Sequence, residues 1–168
     1  MGRWRPPAAP TKPYITAAGF AALEQEAQDL LVRRREVVVH LSAAAAEGDR
    51  SENAEYQYRK KELREIDRRV GYLQRRMPKL KIVDREPADP TKVFFGARVT
   101  LEDEIGTRRN FRIVGGDEAD AAVGDISVDS PVASTLLGKS LDDEVELNLL
   151  EDRARYRISA IDYGEDKR

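Results

Sequence analysis

The chain changes its hydrophobic period once. From Phe20 onward its seam positions run Phe20, Leu23, Ala27, Leu30, Arg34, Val37, Leu41 and Ala44, in steps of three and four weakened at Ala27 and Arg34. That spacing is the stripe of a helix packed on another helix. A second series, Tyr56, Arg59, Leu63, Ile66, Val70, Leu73 and Met77, alternates the same steps with Arg59 as its polar member. The two stripes predict two long helices folded into an antiparallel hairpin that turns near Glu47 to Ser51. A second helix over 52–77 spans roughly 40 Å at ~1.5 Å per residue. Pro78 should end or kink it.

Between Pro87 and Pro90 the helical period stops. VFFGARVTL, TRRNFRIVG, DEVELNLL and ARYRISAIDY are rich in β-branched and aromatic residues and predict strands. SPVASTLLGK predicts a short helix, with Ser130 as N-cap, Pro131 at its first position and Gly138 closing it. The fold class is therefore α+β: an antiparallel α-helical hairpin followed by a small, mostly antiparallel sheet with one helix packed on it. Residues 1–13 hold four of the eight prolines and no apolar period, and they read as a disordered tail. Residues 14–84 form the hairpin, 85–91 a linker and 92–168 the sheet domain.

Composition narrows the chemistry. The 168 residues, 40% of them hydrophobic, suit one ordinary domain or two small ones. There is no run of about 18 apolar residues for a membrane span, and MGRWRPPAAP lacks the apolar stretch of a secretory signal. A cytoplasmic location is expected. With no cysteine and the single His40, thiolate and multi-histidine metal sites are excluded, so any metal must be held by carboxylates. The formal charge of −2 hides an asymmetry: Tyr56 to Lys81 carries ten Lys or Arg against three acids, and Gly116 to Arg168 six against fourteen. A basic rod is joined to an acidic domain, and a basic rod suits a polyanion such as RNA as well as a solvated face.

The bend between the helices reads GDRSENAEY. Asp49 and Glu52 fit a capping box, in which each side chain satisfies a backbone amide of the first turn. They also fit half of a Mg²⁺ site, because that ion is commonly held by one or two carboxylates together with water and substrate phosphates. A two-helix rod has no walls for a cleft, so any chemistry at its bend belongs to a partner's site. Behind the acids lie Arg59, Lys60, Lys61, Arg64, Arg68 and Arg69, whose bland role is solubility and pairing along the helix, as for Lys61 with Glu65. As a patch they can also neutralise RNA phosphates. Tyr56 falls on the seam; Tyr58 is left open between surface and base stacking.

GDRSENAEYQYRKKELREIDRRVGYL, followed by KIVD, VFFGARV, FRIVG, ISVDSPVASTLLGK and DEVE, resembles the bacterial transcript cleavage factors of the Gre family, and the wording RSENAEYQYRKK and REIDRRVGYL resembles the GreB branch more than GreA. The likeness runs from about Tyr14 to Tyr163. It implies a coiled-coil hairpin and an FKBP-like domain without prolyl isomerase activity. It further implies binding of bacterial RNA polymerase at its secondary channel, where the tip acids help hold a second Mg²⁺ and the polymerase hydrolyses its own backtracked RNA. On this resemblance Asp49 and Glu52 are the catalytic and metal-holding acids, with Ser51 and Asn53 in the surrounding loop. Arg59, Lys60, Lys61 and Arg64 correspond to the basic patch near the nascent RNA 3′ segment, and Asp129, Ser130 and Pro131 to the polymerase-docking loop. The chain would then be an accessory factor and not an enzyme, monomeric when free, holding Mg²⁺ weakly or not at all alone. Its RRREVVVHL stretch departs from the Arg-Pro of relatives and should keep the first helix continuous. Three other readings are a channel regulator that does not promote cleavage, a structural adapter whose acids only cap a helix, and a self-sufficient nuclease.

Overall fold

The computed structural model describes residues 11–46, 54–85, 87–149 and 152–164. They divide into two compact units, one holding residues 20–80 and the other residues 10–19 together with everything from Lys81 onward.

The first unit is the helical hairpin. Helix α1 spans Ala17–Ala46, without a kink-forming proline, and helix α2 spans Ala54–Arg76. The paired stripes are where the period put them: Leu23, Val37, Ala44, Ile66, Val70 and Leu73 are buried, and Val37, Ile66 and Val70 form a cluster joined by Leu30 and Leu63. Ion pairs flank it in antiparallel register, Glu26 with Arg69 and Arg33 with Glu62. Arg34, the polar break in the first stripe, keeps its head at the seam's edge, where its Nε lies 2.7 Å from Asp67. Pro78 sits inside a 3₁₀ turn, Met77–Lys79, that closes α2, since its ring cannot continue an α-helical ladder.

The second unit is built on a five-stranded sheet. Strands β3 (Arg98–Asp103), β4 (Arg108–Val114), β5 (Asp125–Ser127), β6 (Glu144–Leu149) and β7 (Asp152–Asp162) lie in the order β5-β4-β3-β7-β6. All neighbours are antiparallel except β4 and β5. Inward side chains alternate with outward ones, so Val99, Leu101, Ile113, Val145, Leu147, Tyr156 and Ile158 share one core with Ala133 and Leu136 of helix α3 (Pro131–Leu136). Gly138 follows α3 with φ +79°, a conformation open to glycine, and its N–H donates to the Val93 carbonyl at 2.7 Å.

The hairpin is shorter at both ends than residues 14–84. Tyr14–Thr16 (β1) and Lys81–Val83 (β2) instead form a parallel pair belonging to the second unit. The residues explain this: Gly115 leaves room for the Tyr14 carbonyl, which would lie only 2.2 Å from an added Cβ. Residues 11–13, expected in the tail, are held too. The Lys12 N–H donates to Asp129 and the Lys81 N–H to the Pro13 carbonyl. Residues 1–10 lie outside the described residues.

Helix α1 begins where it does because of one acid from the sheet unit. Thr16 Oγ1 caps the first turn by accepting from Gly19 N–H at 2.9 Å. Where a local capping box would place a Glu, this chain uses Glu118, 102 residues away: its carboxylate accepts from the Thr16 N–H, the Thr16 hydroxyl and the Gly115 N–H. Negative charge at a helix N-terminus is favourable in its own right.

Candidate functional site

The acids at the bend, Asp49 and Glu52, lie outside the described residues, as do Ser51 and Asn53 and the proposed capping box. The structure describes what they are joined to. Helix α1 runs to Ala46 and helix α2 resumes at Ala54, and the stripe is still closed near both ends, with Ala44 buried and Tyr56 half-buried. The seven residues 47–53 thus connect two helices that remain paired close to the connection.

Behind that connection, α2 sorts its cations into two sets. Arg59 belongs to the seam and not to an open patch: its guanidinium is 2.7 Å from Glu55 and 3.2 Å from Glu62, with the side chain only 18% exposed. Its hydrogen bond to the Glu55 carboxylate, with Glu62 adding to it, raises its pKa further above the ordinary arginine value. The period contained that signal, since Arg59 is a stripe position with acids at i−4 and i+3. Lys61, Arg64 and Arg68 follow one another at three and four residues on an exposed face, so their charges line up along one side of the rod. The expected pairing of Lys61 with Glu65 is not among the ion pairs of the described residues. Lys60 rests 5.7 Å from the Tyr56 ring centroid, and the Arg59 guanidinium 5.4 Å from that of Tyr58, which is 59% exposed. Tyr58 is therefore a surface ring backed by a cation.

In the sheet unit, Ser130 caps α3 as its position predicts, accepting from the Ala133 N–H at 3.1 Å, with Pro131 opening the helix. Asp129 is already engaged. Its carboxylate accepts from the Lys12 N–H at 2.9 Å, and the Lys12 ammonium stands 3.9 Å away. The unit also holds a cleft of about 530 Å³ lined by Thr16, Val83, Arg85, Phe95, Arg112 and Tyr163. Tyr163 serves structure there: its hydroxyl donates to the Lys92 carbonyl and accepts from the Phe94 N–H, and burial raises its pKa. Among the described residues no three His, Cys, Asp or Glu side chains gather into a metal site, so the metal expectation rests on Asp49 and Glu52. Nor is any helix of the described residues long and apolar enough to cross a membrane.

Known proteins resemble this chain along nearly its whole length. Residues 13–82 match the family described as transcription elongation factor, N-terminal, and residues 87–163 the family described as transcription elongation factor, GreA/GreB, C-term. Transcription elongation factor GreB of Xanthomonas axonopodis pv. citri is 54% identical over 98% of this chain and 99% of its own. GreB of Pseudomonas aeruginosa is 55% identical over 86% of this chain and 87% of its own, and GreB of Yersinia pestis 53% over 89% and 88%. With its paired helices, its small sheet domain and these relatives along nearly its whole length, the chain belongs to the GreA/GreB family of transcription elongation factors, in the GreB branch.

Proposed function

We propose that this elongation factor binds bacterial RNA polymerase through its secondary channel and stimulates the polymerase's own Mg²⁺-dependent hydrolysis of backtracked nascent RNA, rescuing arrested complexes in the cytoplasm. The observation that carries the reading is the hairpin itself. Two helices that stay paired almost to residues 47–53 have GDRSEN as their connection, and its acids would act in a site completed by another molecule. The GreB relatives give that molecule its class.

The donor set fits the ion. Asp49 and Glu52 supply two carboxylates, and Mg²⁺ accepts such a pair when water and phosphate oxygens complete its shell. When bound, the ion supplies Lewis-acid polarisation and an activated water at the RNA phosphodiester. The chain's own residues do the remaining work. Lys60, Lys61 and Arg64, continued by Arg68, neutralise phosphates of the RNA 3′ segment without reading its sequence. Arg59 pairs with Glu55 and Glu62 on its own helix and shares Glu62 with Arg33 of α1. Asp129, Ser130 and Pro131 dock on polymerase, with the Asp129 carboxylate exchanging its contact with Lys12. The factor is an accessory to the polymerase, monomeric when free, and not an enzyme by itself.

The test measures RNA length in a purified backtracked elongation complex with Mg²⁺, comparing wild type with the Asp49→Asn, Glu52→Gln double variant. Wild type should release 3′ fragments and restore elongation; the variant should bind polymerase and do neither. A wild type that binds but releases nothing is a channel regulator, and the acids are then caps alone.

A further inference from the structure

Helix α1 carries a second apolar surface that α2 does not cover. One residue on from each seam position Leu30, Val37 and Ala44 lie Leu31, Val38 and Ala45, about 100° round the helix and away from the partner. Leu31 is 41% exposed, Val32 54%, Val38 37% and Val39 67%. Four of the eleven exposed large apolar side chains among the described residues thus fall within nine positions, which makes a patch and not scatter.

Arg35 stands at its centre. Its helical neighbours at i−4, i−3, i+3 and i+4 are Leu31, Val32, Val38 and Val39 themselves, so no acid on its own helix can reach it. The adjacent arginines contrast with it: Arg33 pairs with Glu36 and Glu62, and Arg34 with Asp67, whereas Arg35 has no carboxylate partner among the described residues. An arginine ringed by aliphatic side chains has the anatomy of an interface centre: a charge that waits for an acid inside a rim able to exclude water.

The surroundings select the occupant. RNA is disfavoured, because aliphatic side chains offer bases nothing to stack on. A second copy is disfavoured by Arg35 itself. Pairing two copies centred on this patch, parallel or antiparallel, sets Arg35 against Arg35, and shifting by a heptad to separate them loses half of the aliphatic overlap. We infer that Leu31, Val32, Arg35, Val38 and Val39 form a protein-docking surface whose partner is a polymerase surface presenting aliphatic side chains around a carboxylate. This rests on the polymerase reading above and gives the hairpin two working sides, a cationic face on α2 for RNA and an apolar face on α1 for protein.

The experiment uses the full chain and purified bacterial RNA polymerase. Affinity is measured for wild type, Arg35→Gln, Arg35→Glu and the Leu31→Gln, Val39→Gln double variant, with circular dichroism, sedimentation and fragment release at saturating factor alongside. Every substituted side chain is exposed, so helicity should not change. Arg35→Gln and the double variant should each bind on the order of tenfold more weakly, and Arg35→Glu more weakly still, because it opposes the partner's acid. Fragment release at saturation should persist. Equal affinity in all four proteins would overturn the inference while leaving the polymerase reading intact. A wild-type dimer that the double variant dissolves would overturn it too, by making a second copy the occupant. A wild type that does not bind polymerase removes the polymerase reading, and this inference with it.

Discussion

The helical and sheet units solve the burial problem differently. In the sheet unit, side chains from β3, β4, β6, β7 and α3 join Val93, Ala97 and Val128 of the connecting segments in a core of twelve buried residues. The hairpin, although built of much longer helices, buries only Leu23, Val37, Ala44, Ile66, Val70 and Leu73 among its described residues, and flanks them with half-buried ion pairs at the edge of the seam. Two helices can cover only one stripe of each other, so most of the hairpin surface stays available for partners. The difference teaches where tolerance lies: the sheet unit is constrained from within, whereas the hairpin is constrained along one line.

That contrast can be broken most directly in the two cores. Ile158 is fully buried in β7, a strand paired on both sides, by β3 and β6. Ile158→Ala should cost about 2–5 kcal/mol, read as the loss of unfolding free energy in urea. Leu73→Ala in the hairpin should fall at the low end of the same range, because a two-helix seam can close over the gap; a larger loss than for Ile158 would reverse the comparison. Removing the α3 cap with Ser130→Ala should cost ~1 kcal/mol. It also tests whether the proposed docking loop needs that cap, since polymerase affinity should fall only if the loop shifts.

The smallest effect is a pH dependence confined to the sheet unit. Arg108 chiefly, with Arg157, holds the Glu102 carboxyl below its ordinary pKa, and hydrogen bonds from Thr91 do the same for Asp89. The folded pKa lies below the unfolded one, about 4.3 for Glu and 3.9 for Asp. Their contribution is therefore present above those values and lost as pH falls through the folded ones. Both groups are half-buried and still in contact with water, which screens them, so the slope is shallow. Glu102→Gln should flatten the acid limb of a melting-temperature profile and leave neutral pH nearly unchanged.

How much was legible in the sequence follows the length of each pattern. The two stripes repeat over seven or eight positions, and the buried residues of α1 and α2 fall on them. Strand starts were less clear: VFFGARVTL reads as one strand, but Gly96, at φ +86°, turns the chain, and β3 begins only at Arg98. Strands β1, β2 and β5 are three residues each, too short to show alternation. Charge alone groups Arg59 with the open cations, although its period places it on the seam. Glu118 was invisible because its partners lie across the fold, and no local spacing connects residue 118 to Thr16. The acids Asp49 and Glu52 stand out by position and likeness, and they lie outside the described residues.

The parallel pairing of β1 with β2 joins Tyr14 to Lys81 and Thr16 to Val83. Both ends of the long helical excursion are thereby stitched side by side, within about 5 Å, by the sheet unit. In the covalent plan of the molecule the hairpin is an insert whose base is this parallel pair. About seven residues added to or removed from each helix at matching heights would preserve the stripe and leave that base untouched. The length of the paired helices is a free dimension of this plan, adjustable in whole heptads while the strands that open and close the insert keep their sequence.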